Sequence, residues 1–187
     1  MLFNLFGENS AETADRYFAD KVYINSEGKM NACVQWAIHN PNTIFVAWFV
    51  ETAVIYKAFF TKNGLDENLI SIVELLEEQK ITPNQPIVFL EHYPLNAKEL
   101  LLVENWAQKN IPVFSAMDEP LFKHFGSDKM IPLIKLFGMK ESAAIEHSYV
   151  TQSITKGQSK ITDKVIDEQI ANSQAAWMQL NLGAPIQ

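Results

Sequence analysis

Three short runs that are apolar almost throughout constrain this chain most: Thr43–Phe49 (TIFVAWF), Gln85–Leu90 (QPIVFL) and Ile111–Ser115 (IPVFS). A strand that reads apolar at successive positions has no wet face, so it belongs in a sheet covered on both sides. Helix-spaced segments separate the runs. Strand, helix, strand, helix, strand is the order of a parallel α/β layer. The spacing therefore predicts an α/β fold with a parallel sheet of three to four strands.

The helices follow from periodicity and stop signals. Met30, Cys33, Val34, Ala37 and Ile38 repeat at helical steps after a short extended piece. Ser26 stands as the N-cap of that helix, Glu27 lies in its first turn, and Asn40-Pro41-Asn42 ends it. Val50–Lys62 reads as a strongly apolar helix closed by Asn63-Gly64, and Glu67–Lys80 as a second, more amphipathic one. Pro83 and Pro86 bracket a turn. Asn96 with Glu99 three residues on forms a capping box for a helix running to about Lys109. Shorter helices are predicted near Asp118–Phe125, with Asp118 and Glu119 as N-terminal caps, and near Ser127–Phe137, with Gly138 as the stop.

From Val150 onward Val150, Ile154, Gly157, Ile161, Val165, Trp177 and Met178 lie near one stripe. The stripe predicts a single long helix of about 28 residues, roughly 40 Å. That exceeds what one small layer needs, so part of it is expected to meet a protein partner or a second copy. The alternative is that it folds back over its own domain. Val150, Ile154, Ile161, Val165, Trp106 and Trp177 are the candidate contact residues. The division expected is a flexible arm over 1–19, an α/β domain over 20–147, a long C-terminal helix over 148–182 and a tail over 183–187. Leu2, Phe3, Leu5 and Phe6 in the arm could instead dock on a partner. The opening MLFNLFGENS lacks a basic region and is expected not to be a signal peptide.

Charge narrows the function. The net charge is −7, with fourteen Lys and Arg16 as the lone arginine. Nucleic acid and anionic membranes call for a basic face, so neither is expected as a partner. Cys33 is the single cysteine and can form no internal disulfide, which suits a reducing cytoplasm. The apolar runs are too short for a membrane span. His39, His92, His124 and His147 are scattered, without H-E-x-x-H or a Cys/His cluster, and no metal or cofactor site is expected. Glu91-His92 follows a strand end, where α/β folds place ligands, and offers general acid–base groups for a small enzyme.

Two segments carry a family resemblance. Asp118–Leu121, Phe125–Lys129, Leu136–Lys140, Ala144–His147 and Val150–Ile154 stand in the order found where the second motor domain of the SecA preprotein translocase runs into its scaffold helix. Asp20, Val22, Tyr23, Glu27 and Lys29 resemble that family's approach to the first strand of the same domain, and Glu51 follows the strand as an acidic residue does there. The resemblance implies a RecA-like, P-loop-NTPase-like layer. It also implies losses. The family's Q-x-x-G-R-x-G-R motif falls on Leu101–Gln108, where Asn105 and Gln108 take the arginine positions and Leu101 and Glu104 the first Gln and Gly. A neutral amide does not offset phosphoryl charge as a guanidinium does. No phosphate loop or D-E-A-D-like run is present.

The expectation is a non-catalytic SecA-like interaction module of the bacterial cytoplasm. One alternative is a nucleotide sensor, or half of a composite ATPase, with a vestigial pocket near Glu51, Thr52, Glu91 and His92. The other is a small α/β enzyme using Glu91 and His92.

Overall fold

A computed structural model describes residues 17–76, 85–106, 108–136 and 138–183. Residues 1–16 of the expected arm, residues 184–187 of the expected tail and the turn at Pro83 lie outside them. In chain order the elements are β1 (Phe18–Tyr23), α1 (Ser26–His39), β2 (Ile44–Ala47), α2 (Val50–Lys62), β3 (Ile70–Ile72), β4 (Ile87–Phe89), α3 (Asn96–Val103), β5 (Ile111–Ala116), α4 (Pro120–His124), α5 (Ile131–Leu136), α6 (Ser148–Thr162) and α7 (Gln174–Leu182). Single 3-10 turns lie at Glu67–Leu69, Val73–Leu75 and Ser127–Lys129.

The sheet is parallel throughout, in the order β1-β5-β4-β2-β3. Among the described residues five strands form it, more than the three or four expected. The additional ones are both edges. In β1 the backbone pairs along its whole length with β5, from Phe18 with Ile111 to Tyr23 with Ala116. Phe18 and Ala19 thus belong to the sheet and not to the arm. The described part of the expected helix over Glu67–Lys80 is instead the short strand β3 between two 3-10 turns, paired with Phe45–Ala47 of β2. Its apolar residues are too closely spaced to choose between the two periods.

Other boundaries move for identifiable reasons. Asn25, not Ser26, caps α1, its side chain accepting from Gly28 N–H. Asp118 is drawn to that same end, where it accepts from the N–H and hydroxyl of Ser26 at 3.0 and 2.7 Å. Helix α3 stops at Val103. Its Glu99 does not close a capping box but turns inward, as described below.

Crossovers place α1 and α2 over one face, where Cys33, Val34, Phe45, Tyr56, Phe60 and Phe114 form a cluster. On the other face Val22, Tyr93, Leu121, Ile154, Ile161 and Trp177 form a second, supplied by α4, α6 and α7. The single long C-terminal helix does not occur. Helix α6 ends at Thr162, an irregular segment runs over 163–173, and α7 begins at Gln174. Ser173 caps α7, accepting from Ala176 N–H at 3.2 Å. Asn181 holds the segment by accepting the backbone N–H of Gln169 and donating to its backbone carbonyl, each at 2.8 Å. The stripe is interrupted so that both helices can turn back onto the sheet.

Candidate functional site

From β2 the chain proceeds outward to β3, and from β4 it proceeds the other way to β5. The pair β2–β4 is therefore the point where strand order reverses. In parallel sheets the crevice beyond the carboxyl ends of such a pair is the usual ligand position. Here it holds Glu91, which directly follows Leu90 beyond the end of β4. Its Oε1 accepts the backbone N–H groups of Trp48 and Phe49, each at 3.2 Å, and its Oε2 accepts the Thr52 hydroxyl at 2.8 Å. Phe49 is the N-cap of α2 and supplies no side-chain cap of its own. Glu91 thus closes the head of a helix that follows a neighbouring strand, where unsatisfied donors and the helix dipole favour an anion.

Lys29 of α1 lies beneath it, 3 % exposed. Its ammonium donates to the Leu90 carbonyl and to Glu119 Oε1. Burial pushes the Glu91 carboxyl up to about 7; Lys29 opposes this and Glu119 adds to it. The Glu119 carboxyl is also raised by burial against the pull of Lys29. Burial lowers the Lys29 ammonium, but Glu119 and Glu91 outweigh it and hold the charge. Glu119 therefore serves α1 and not, as the sequence suggests, its own helix. Glu51 points away from this group: its side chain is exposed, and its backbone N–H donates to the Asn172 carbonyl.

His92 is the next residue and faces the other side. Its Nε2 bonds Asp20 Oδ1 at 2.9 Å and its Nδ1 bonds Glu99 Oε1 at 3.0 Å. Burial alone would lower the imidazole, but Glu99 and Asp20 raise it to about 10. Both ring nitrogens then donate. An imidazolium so held has no lone pair to act as a base. The group extends into backbone and amides. Glu99 Oε1 accepts Tyr93 N–H at 2.7 Å, and Glu99 Oε2 accepts the Gln158 amide at 2.8 Å. Gln158 also donates to the Tyr93 carbonyl at 2.8 Å. Gln174 donates to the His92 carbonyl at 3.0 Å and accepts Leu121 N–H at 2.9 Å. One buried knot thereby ties β1, α3, α4, α6 and α7 to the end of β4.

Glu91 and His92 are thus adjacent in sequence but serve separate networks on opposite sides. Among the described residues, no group of His, Cys, Asp or Glu is placed to hold a metal ion. Asp20, Lys29, Glu99, Gln158 and Gln174 are the residues that a sequence reading does not assign to this site. Their partners lie up to 90 positions away, as for Lys29 and Glu119.

The candidate contact residues pack on the chain's own core. Ile154, Ile161 and Trp177 are buried, and Val150 and Val165 are half-buried against the same cluster. Trp177 Nε1 donates to Glu168 at 2.8 Å, and its ring meets Tyr93 edge-on at 5.9 Å. Trp106 is half-buried and stacks on Phe89 at 6.2 Å. At the turn before α6, His147 caps the helix by accepting Tyr149 N–H at 3.2 Å. The exposed apolar side chains lie elsewhere, notably Met130, Leu133 and Leu136 of the α5 region, while Ile131 and Ile134 pack inward. Among the described residues no helix is long and apolar enough to cross a membrane.

No family model matches the chain. A stretch of 54 residues, 29 % of the chain, is 43 % identical to the protein translocase subunit SecA of Acidithiobacillus ferrooxidans. Over the same length it is 37 % identical to the SecA of Ehrlichia canis and 33 % identical to that of Blochmanniella floridana. The match spans only 6 % of the length of each of these relatives. This chain carries a SecA-like region within an α/β fold.

Proposed function

We propose that the chain is a non-catalytic, SecA-like protein-interaction module linked to preprotein translocation in the bacterial cytoplasm. The observation that carries this reading is the similarity of 54 residues to SecA subunits. The strand-end geometry supports its non-catalytic part. The carboxylate and imidazole best placed for chemistry are both buried and bonded to their own chain. The contact is assigned to the outer face of α5, where Met130, Leu133 and Leu136 are exposed inside the segment that resembles SecA. Charges of both signs flank them, Asp128 and Lys129 on one side and Lys135 paired with Glu141 at 2.8 Å on the other, so an apolar partner surface fits.

The test is a titration of the purified chain against SecA and against an unfolded preprotein. Binding to one of them is expected. The Leu133→Asp/Leu136→Asp variant should lose it while melting as the wild type does. Absence of binding to both would remove the reading. Mg-ATP and Mg-ADP are run in parallel melting curves, where a ligand at 100 times its Kd would add about 2.7 kcal/mol. No shift is expected. A clear one would put the nucleotide sensor ahead.

A further inference from the structure

Beyond α6 the chain is tied to itself. Asn181 of α7 bonds both the N–H and the carbonyl of Gln169, and Trp177 Nε1 donates to Glu168, each at 2.8 Å. Residues 163–173 and α7 are thereby one piece. Its apolar anchorage is small: Trp177 and Met178 are buried and Val165 and Ala171 half-buried, while Ile166 and Ile170 are exposed. Its polar anchorage gathers at the loop after β4. Gln174 donates to the His92 carbonyl at 3.0 Å and accepts Leu121 N–H at 2.9 Å. Glu168 accepts the Tyr93 hydroxyl and pairs with Lys98. The Asn172 carbonyl accepts Glu51 N–H at 3.0 Å, so the piece reaches across to the first turn of α2. Parting these contacts splits no fully buried ion pair. His92, Asp20 and Glu99 all lie outside the piece and keep one another. The Gln174 amide is neutral, and its bonds exchange for bonds to water at small net cost. Lys98 is 43 % exposed, and such a pair contributes little. Gln158 of α6 keeps its own bonds to the Tyr93 carbonyl and Glu99, so the loop stays in place when the piece leaves.

We propose that residues 163–182 form a lid over the carboxyl end of the sheet, hinged at the end of α6 and latched by Gln174 and Glu168 to His92 and Tyr93, and that this lid opens as a unit while the sheet and α6 stay folded. Opening withdraws Trp177 and Met178 and bares the apolar cluster they complete, Tyr93 and Leu121 included. Tyr93 carries Trp48 and Phe49 with it, at ring distances of 5.0 and 5.6 Å, so the face laid open is aromatic and lies where the strand order reverses. Segments with few buried apolar contacts open below the global free energy, and the lid is such a segment. It exists whether or not the chain binds a translocation partner.

Amide hydrogen exchange of the full chain is followed residue by residue in increasing urea below the global transition. The amide of Gln169, bonded to Asn181, and that of Trp177, bonded to the Ser173 carbonyl, should share one opening free energy and one urea slope. Both should open more easily than Ile161 of α6 and the amides of β5. Gln174→Ala removes two latch bonds and should speed exchange at Gln169 and Trp177 alike, by about tenfold, with Ile161 unchanged. Gln169 is not bonded to Gln174, so a purely local effect would not reach it. Gly28→Ala, on α1, should speed β5 and leave the lid as it is. Separate free energies for Gln169 and Trp177, opening only together with β5, or an effect of Gln174→Ala confined to α7 would overturn the lid. Should the alanine variant not fold, the wild-type exchange decides by the same two comparisons.

Discussion

Gly157 offers a direct measure of how closely α6 is seated. A β-carbon added there would lie 2.5 Å from Cε1 and 2.8 Å from Cδ1 of Phe125, with Cζ closer still. Carbon atoms in contact prefer about 3.5–4.0 Å, so the gap must open by about 1 Å. Two routes exist. The Phe125 ring, which lies 6.1 Å from Phe122, can leave its rotamer at about 0.5–1.5 kcal/mol. Alternatively α6 lifts and loosens Ile154 and Ile161, a form of overpacking that costs about 1–3 kcal/mol. Against this, alanine in a helix interior is better than glycine by about 0.8–1.0 kcal/mol. Phe122 and the surrounding cluster hold the ring in place, so α6 must lift, and Gly157→Ala should lose about 1 kcal/mol net of the propensity gain. Urea unfolding gives the number, as a lower midpoint at unchanged slope. In a Phe125→Ala background the same change should turn stabilising by up to about 1 kcal/mol, because only the propensity remains. Equal or greater stability of Gly157→Ala in the wild-type background would refute the close seating.

Other perturbations probe the rest of the frame. At Gly28 an added β-carbon would lie 3.0 Å from the Glu141 carbonyl carbon and closer to its oxygen. Backbone cannot swing aside, so Gly28→Ala should lower thermal stability by about 2 kcal/mol, and a neutral result would mean that the loop at Glu141 gives way. His92→Gln removes the cation between two buried carboxylates and should cost about 3–5 kcal/mol near pH 6. The folded imidazole value of about 10 exceeds the ordinary 6.5, so its stabilisation is complete below pH 6.5, shrinks above it and is gone beyond about 10. Denaturation midpoints should therefore show the gap between wild type and His92→Gln closing across that window; a constant gap would contradict the charged imidazole. Glu91 has a folded value of about 7, above its ordinary 4.5, so burying its charge costs stability as pH rises through that interval. Glu91→Gln should match the wild type at pH 4 and exceed it at pH 8, as read by melting temperature; the reverse order would mean that the bonds to Trp48, Phe49 and Thr52 outweigh desolvation.

The parts of the fold that were legible in the sequence are those whose physics is local. β2 and β4 are covered on both faces, so their apolar runs declare them, and α2 occupies the expected span Val50–Lys62 because Asn63-Gly64 stops it. The edge strands hide for the opposite reason. β1 carries Asp20 inward toward His92 and Lys21 toward Glu146, so its charges are spent on tertiary partners that no window reveals. β3 is three residues long, below the length at which a period of two separates from one of 3.6. For the site, Glu91-His92 stands out by its position after a strand, but the meaning of each residue rests on partners between 7 and 72 positions away.

The C-terminal stripe shows where periodicity stops being informative. A stripe states that a face will be buried, not what will bury it. Ile154, Ile161 and Trp177 are covered by their own sheet, yet in sequence they look the same as a face kept for a partner. Length is the argument for a partner, since a helix of about 40 Å overhangs a small layer. That inference depends on continuity, and continuity fails at Asp163. The signal for the break is local and present: Asn172-Ser173 ahead of Gln174 is a helix start, and a second start inside one stripe means two helices. Once the stripe is divided, each half fits within the layer and the overhang disappears. The exposed apolar groups then stand out by lying off the C-terminal stripe: Ile166 at 95 % and Ile170 at 81 % in the connecting segment, and Leu136 at 80 % on α5. The search for what this chain binds therefore moves from the C-terminal stripe to α5 and to the segment between α6 and α7.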